Sequence, residues 1–205
     1  MGLDFDISVW LVGIVSLLVV LVILWKRGDN APRLFFLSVF WIYLLFVLKI
    51  AVFPIPVARG ISTDTAQQLM PVMLSTINHR LFFFGHYATF ESIVITVLQN
   101  LILMIPFGFG INFIKPRKPR EILWLSIVVG SGIEAIQFVI ALIAVFIGTW
   151  GPEHIVDIND ALLNMIGVLL GYGLFRLFTT WYTPLQHKFK TNEFFAYIQG
   201  IARQV

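Results

Sequence analysis

The chain has 205 residues, 59% of them hydrophobic and only 12% charged, with no cysteine and a formal net charge of +3. That charged share is about half the soluble norm. A soluble globular domain, a disordered chain, a disulfide-stapled secreted module and any thiolate metal site are excluded, leaving a polytopic membrane protein. The basic residues fall in short clusters between apolar runs, so no nucleic-acid partner is expected.

A bilayer core of about 30 Å takes about 20 apolar residues of helix. Five stretches qualify: 7–25, 34–53, 92–114, 122–147 and 161–178. They are continuously apolar rather than alternating, which argues for helices and against a β-barrel. The expected fold is therefore all-α, with about five transmembrane helices, an outer loop helix and a cytoplasmic C-terminal amphipathic segment. It divides into two N-terminal spans (1–53), an extracytoplasmic loop (54–91), a three-helix core (92–178) and the tail (179–205). The first span carries Asp4 and Asp6 ahead of it and basic residues behind it, so it reads as a retained helix and not a cleaved signal.

Orientation follows from lysine and arginine. Lys26, Arg27 and Arg33 follow span one. Lys115, Arg117, Lys118 and Arg120 follow span three. Arg176, Lys188, Lys190 and Arg203 stand at or beyond the end of span five. All eleven share one side if the spans alternate. The opposite loops hold Arg59 and Arg80, and Lys49 can snorkel from span two. The N-terminus is expected outside and the C-terminus in the cytoplasm.

In the long outer loop, Ser62, Thr63 or Asp64 can cap a short helix over 65–69. The aromatic run Phe82, Phe83 and Phe84 suits the headgroup region. The tail alternates Phe189, Phe194, Phe195, Ile198 and Ile201 with basic residues, as an interfacial helix does.

The informative residues are polar ones at depth. An ionised carboxylate at mid-span costs about 2.5–3.5 kcal/mol on insertion scales, so it needs a partner, water or a proton. Glu134 stands about twelve residues from either end of span four, near the midplane, with Gln137 on the same face. Asn100 approaches the same depth in span three. At the start of span five, Asp157, Asp160, Asn164, Gly167 and Gly171 form one helical stripe. Gly167 and Gly171 let another backbone approach, and Ser126 with Gly130 repeats the spacing on span four. Spans three to five should pack together. Asn100, Glu134 and Gln137 would then line their seam, with Glu134 orienting it through Asn100 or Gln137. Asp157, Asp160, Glu153 and Arg80 would form its outer rim.

Blander readings stand beside these. Asn100, Gln137 and Asn164 also suit plain interhelical hydrogen bonding. Asp157 can simply begin a helix and Asp160 complement its positive end. His154, Asp157 and Asp160 have the residue types of a metal site, but three groups across a loop-to-helix turn carry little signal, and no metal or other cofactor is expected.

Asn100, Pro106, Phe107 and Gly108, then Glu134 and Gln137, then Asp157, Asp160, Asn164, Gly167 and Gly171 resemble, in this order and spacing, the VanZ-like family. The resemblance covers roughly residues 90–178. It departs in two places. The family's Arg before the paired acids has no counterpart in 148–154, where Arg80 is the candidate substitute. Its Asn-Leu-x-Pro-Phe element is degraded at 78–84. The resemblance implies a bacterial plasma-membrane protein associated with low-level resistance to teicoplanin-type glycopeptides by a route that leaves the D-Ala-D-Ala target unchanged. It implies no settled enzymatic activity.

Three functions fit. In the first, the seam binds an amphiphile: a membrane lipid, a lipid-linked wall precursor or the glycopeptide antibiotic itself. In the second, Glu134, Asp157 and Asp160 serve as acid and base of an enzyme acting on a lipid-linked substrate. Neither a cysteine nucleophile nor a Ser-x-x-Lys or Gly-x-Ser-x-Gly motif supports it. In the third, the protein is an ion-coupled carrier, although no internal repeat appears. The oligomeric state is left open.

Overall fold

The structure, a computed structural model, describes residues 2–3, 7–53, 55–56, 71, 74–75, 77, 79–81, 89–146, 156–185 and 192–204. The expected helix over 65–69, the aromatics at 82–84, Glu153 and His154 lie outside the described residues.

Among the described residues six helices carry the fold: α1 (Ile7–Lys26), α2 (Ala31–Ala51), α3 (Phe90–Ile114), α4 (Pro119–Phe146), α5 (Ile158–Leu185) and α6 (Glu193–Ala202). The first five are long and apolar enough to cross a membrane, so the chain is a multi-pass membrane protein. A two-residue antiparallel pair, β1 (Gly2–Leu3) with β2 (Ile55–Pro56), is the only sheet among the described residues. We call the end where α2 and α4 finish the upper end.

Local chemistry sets the helix boundaries. Gly28 turns the chain between α1 and α2 at φ +85°, a conformation that only glycine adopts cheaply. Asn30 then caps α2, accepting from the Arg33 amide at 3.1 Å, and Pro32 sits in the first turn. Asp29 pairs with Arg33 across the same turn. Thr89 and Ser92 form a reciprocal capping box at the start of α3.

Helix α5 is the centre of the bundle. It packs against α3 along its length and against α4 on another side, while α2 leans on α3 and α1 touches chiefly α2. The expected mutual packing of spans three to five is thus two separate interfaces sharing α5. The glycines explain how close they come. A Cβ on Gly171 would stand 2.0 Å from the Ile105 carbonyl oxygen, and one on Gly108 would stand 1.9 Å from that of Val168. Gly167 faces the Leu101 carbonyl in the same way, and Gly130 faces Met165 and the Ala161 carbonyl across α4 and α5.

The lower half is sealed by aromatic rings. Phe36 stacks on Phe113 at 4.6 Å, and Phe113 meets Phe175 edge-on. Phe40 packs beside Phe107. Helix α6 closes this end: the Tyr197 hydroxyl donates to the Phe113 carbonyl at 2.6 Å, satisfying one of the four carbonyls left open at the end of α3. Burial pushes the Tyr197 phenol above its ordinary value, so it keeps the proton it donates. The boundary expected at 178–179 is not a helix end. Helix α5 runs on to Leu185, and the amphipathic helix of the tail is confined to Glu193–Ala202.

Candidate functional site

Above the aromatic seal, α2 and α3 enclose a cavity with α4 and α5. The Tyr43 hydroxyl donates to the Leu103 carbonyl at 2.6 Å and marks its floor. At the upper end, Gln137 Nε2 donates to the Ala51 carbonyl at 2.8 Å and ties α4 to the end of α2. Between these two bonds the cavity measures about 790 Å³. That is room for a chain-bearing ligand.

Its walls are mostly apolar. Tyr43, Phe46, Ile50 and Ala51 line it from α2, and Ile95, Thr96, Leu98, Gln99, Ile102 and Pro106 from α3. Phe46, Ile50, Ile95, Leu98 and Ile102 are also between 45% and 61% exposed. In membrane-spanning helices such exposure faces acyl chains, so the cavity adjoins the bilayer sideways. Pro106 has no amide hydrogen, and the Ile102 carbonyl loses its helical donor there.

The polar groups collect at one side, where α5 begins. Glu134 Oε2 accepts from the Asp157 amide at 2.9 Å. Asp157 Oδ1 accepts from the Asn159 amide at 2.8 Å, as a residue at a helix N-cap does. Asn100 Nδ2 donates to Asp160 Oδ1 at 2.8 Å, joining α3 to α5. Glu134, Asp157 and Asn164 are all buried, and Asn164 Oδ1 has no hydrogen-bond partner among the described residues. Among the described residues, the charged groups acting on Glu134 are Asp160 and Asp157, and the one acting on Asp160 is Asp157.

The sequence-predicted residues therefore meet, but in different pairs. Glu134 bonds the backbone amide of Asp157, not Asn100 or Gln137. Asn100 belongs to Asp160, and Gln137 belongs to the end of α2. The expected floor and rim are also corrected. Asp157 bonds Glu134 directly, so both acids lie at one level. Glu134 is mid-helix in α4, yet only three residues, about 4.5 Å, below the Gln137 tie to the end of α2. Arg80 is exposed, and its carbonyl accepts from Asn159 Nδ2 at 3.2 Å. Among the described residues, no group of three His, Cys, Asp or Glu side chains is placed to hold a metal ion; His154 is outside them.

Two contributors were not foreseen. Asn159, 3% exposed, braces Asp157 through both its amide and its side chain. Helix α2 supplies a whole wall. Its apolar sequence carries one polar signal at that depth, Tyr43, whose hydroxyl makes the floor bond.

A family model described as VanZ/LLP1 matches residues 40–179, more than half of the chain. The match begins at Phe40 and so takes in the α2 wall as well as α3, α4 and the part of α5 that lines the cavity. No curated protein and no solved structure matches.

Proposed function

The chain belongs to the VanZ/LLP1 family, and we propose that it binds an amphiphile within the bilayer, the chain in the cavity and the head at the start of α5. The observation that carries this reading is the cavity itself: apolar walls adjoining lipid, with every buried acid among the described residues gathered at one side. In this reading the protein resides in a bacterial plasma membrane with its upper end outside. There it meets membrane lipid, lipid-linked wall precursor or the acyl chain of a teicoplanin-type glycopeptide. Sequestering any of these lowers the drug's hold on nascent wall. Where the ligand is the drug's acyl chain, low-level resistance to acylated glycopeptides follows, with little effect on those lacking the chain.

The test is susceptibility of a sensitive host expressing the protein. Thr96→Trp adds bulk to the cavity from α3, at a residue with no hydrogen bond to the acids. It should abolish any rise in the inhibitory concentration of an acylated glycopeptide while protein level is unchanged. Full resistance in that variant, at normal expression, removes the cavity from the function.

One observation favours a second reading, an enzyme on a lipid-linked substrate: two carboxyls, Glu134 and Asp160, face one cavity, and Asn100 fixes the orientation of the second. Release of product from a labelled wall precursor by purified protein, lost in Asp160→Asn, would support it. No turnover leaves the binding reading alone.

A further inference from the structure

The head group has a chemistry of its own, and the cavity's unused bonding capacity specifies it. Asn164 is 2% exposed, borders the cavity, and carries an oxygen with no hydrogen-bond partner among the described residues. A buried acceptor left open favours a ligand that donates. Glu134 and Asp160 border the same cavity. Among the described residues each has one hydrogen bond, from the Asp157 amide and from Asn100 respectively, and neither is paired with a lysine or arginine. The charged groups acting on them are acidic. Ionised carboxyls beside acyl chains are costly without a counter-charge. The open capacity of these three groups is therefore an accepting one.

We infer that the cavity selects an amphiphile whose head is a cationic amine, the ammonium lying among Glu134, Asp160 and Asn164 Oδ1 and the chain running along α2 and α3. An ammonium has three donors and no acceptor, which matches three acceptor groups. A phosphate head brings like charge and at most one donor. A hydroxyl head brings one donor and no charge. The half-exposed walls of α2 and α3 admit the chain from the bilayer, so the ligand reaches the site without crossing water.

This inference rests on the amphiphile reading, and one experiment separates the two. Purified protein in nanodiscs is photolabelled with three probes sharing one diazirine-bearing tetradecyl chain: the amine, the alcohol and the phosphate. Labelled residues are identified by mass spectrometry. The amine should label cavity residues of α2 and α3 saturably, at least tenfold more tightly than either other probe. Asp160→Asn should cut that preference at least fivefold, and Asn164→Leu, where it folds, should do the same. Alcohol or phosphate labelling the cavity as tightly as the amine overturns the cationic head and leaves the amphiphile pocket standing. No saturable labelling of the cavity by any probe overturns both.

Discussion

Glu134 has a structural role that substitutions can isolate. Its carboxylate accepts from the buried Asp157 amide and so holds the start of α5 against α4. Glu134→Gln retains an oxygen for that bond, whereas Glu134→Leu leaves a buried amide unsatisfied, at a cost of about 1–3 kcal/mol. Thermal unfolding of purified protein should show the leucine variant clearly less stable and the glutamine variant close to the parent. If both unfold alike, the amide bond is not what anchors α5. The position of Glu134 was legible because an acid inside an apolar run is rare and expensive. Its partner was not, because the partner is a backbone amide, which every residue but proline carries and no sequence pattern marks. Gln137 was misread for the same reason: it bonds the Ala51 carbonyl. Side-chain-to-side-chain pairing, as between Asn100 and Asp160, is the kind of contact that residue types can suggest.

At the scale of helices, the α3–α5 contact depends on absent side chains. Gly171 meets the Ile105 carbonyl and Gly173, two residues on, meets nothing within 4 Å. Gly171→Ala must push two backbones apart, which costs about 1–3 kcal/mol of overpacking. Gly173→Ala removes a poor helix former from open space and should be neutral or stabilising. Melting temperature and detergent resistance of the two variants should move in opposite directions; a matched fall would mean that helix propensity and not close approach governs α5. This face was readable, since small residues four apart point the same way. The α2 wall was not, because α2 is apolar all round and nothing distinguishes its cavity face from its lipid face. The level of α5 was equally hidden. Helix α4 continues twelve residues, about 18 Å, beyond Glu134, while α5 starts beside Glu134. The two ends of the stretch between Phe146 and Val156 are thus far apart along α4, a fact carried by tertiary contact and absent from any span count.

For the whole molecule, the cavity's meaning turns on which side of the bilayer its polar side lies. The upper end carries the start of α3 and the end of α2. The lower end carries Lys26, Arg27 and Arg33 at the α1–α2 turn and Lys115, Arg117, Lys118 and Arg120 at the α3–α4 turn. Seven basic residues in two short turns are a strong retention signal for the cytoplasmic side. The chain contains no cysteine, so single-cysteine variants need no background removed. His79 and Lys118 are both exposed, at opposite ends. His79→Cys should react with a membrane-impermeant maleimide on intact cells, and Lys118→Cys only after permeabilisation. That result puts Glu134 and Asp160 about one turn below the outer end of α2, within reach of ligands in the outer leaflet, where wall precursor and acylated glycopeptide meet. The reverse pattern would face the acids toward the cytoplasm. The cavity would keep its shape, but the proposed ligand would have to come from the inner leaflet, and protection from an external drug could no longer arise by capture at this site.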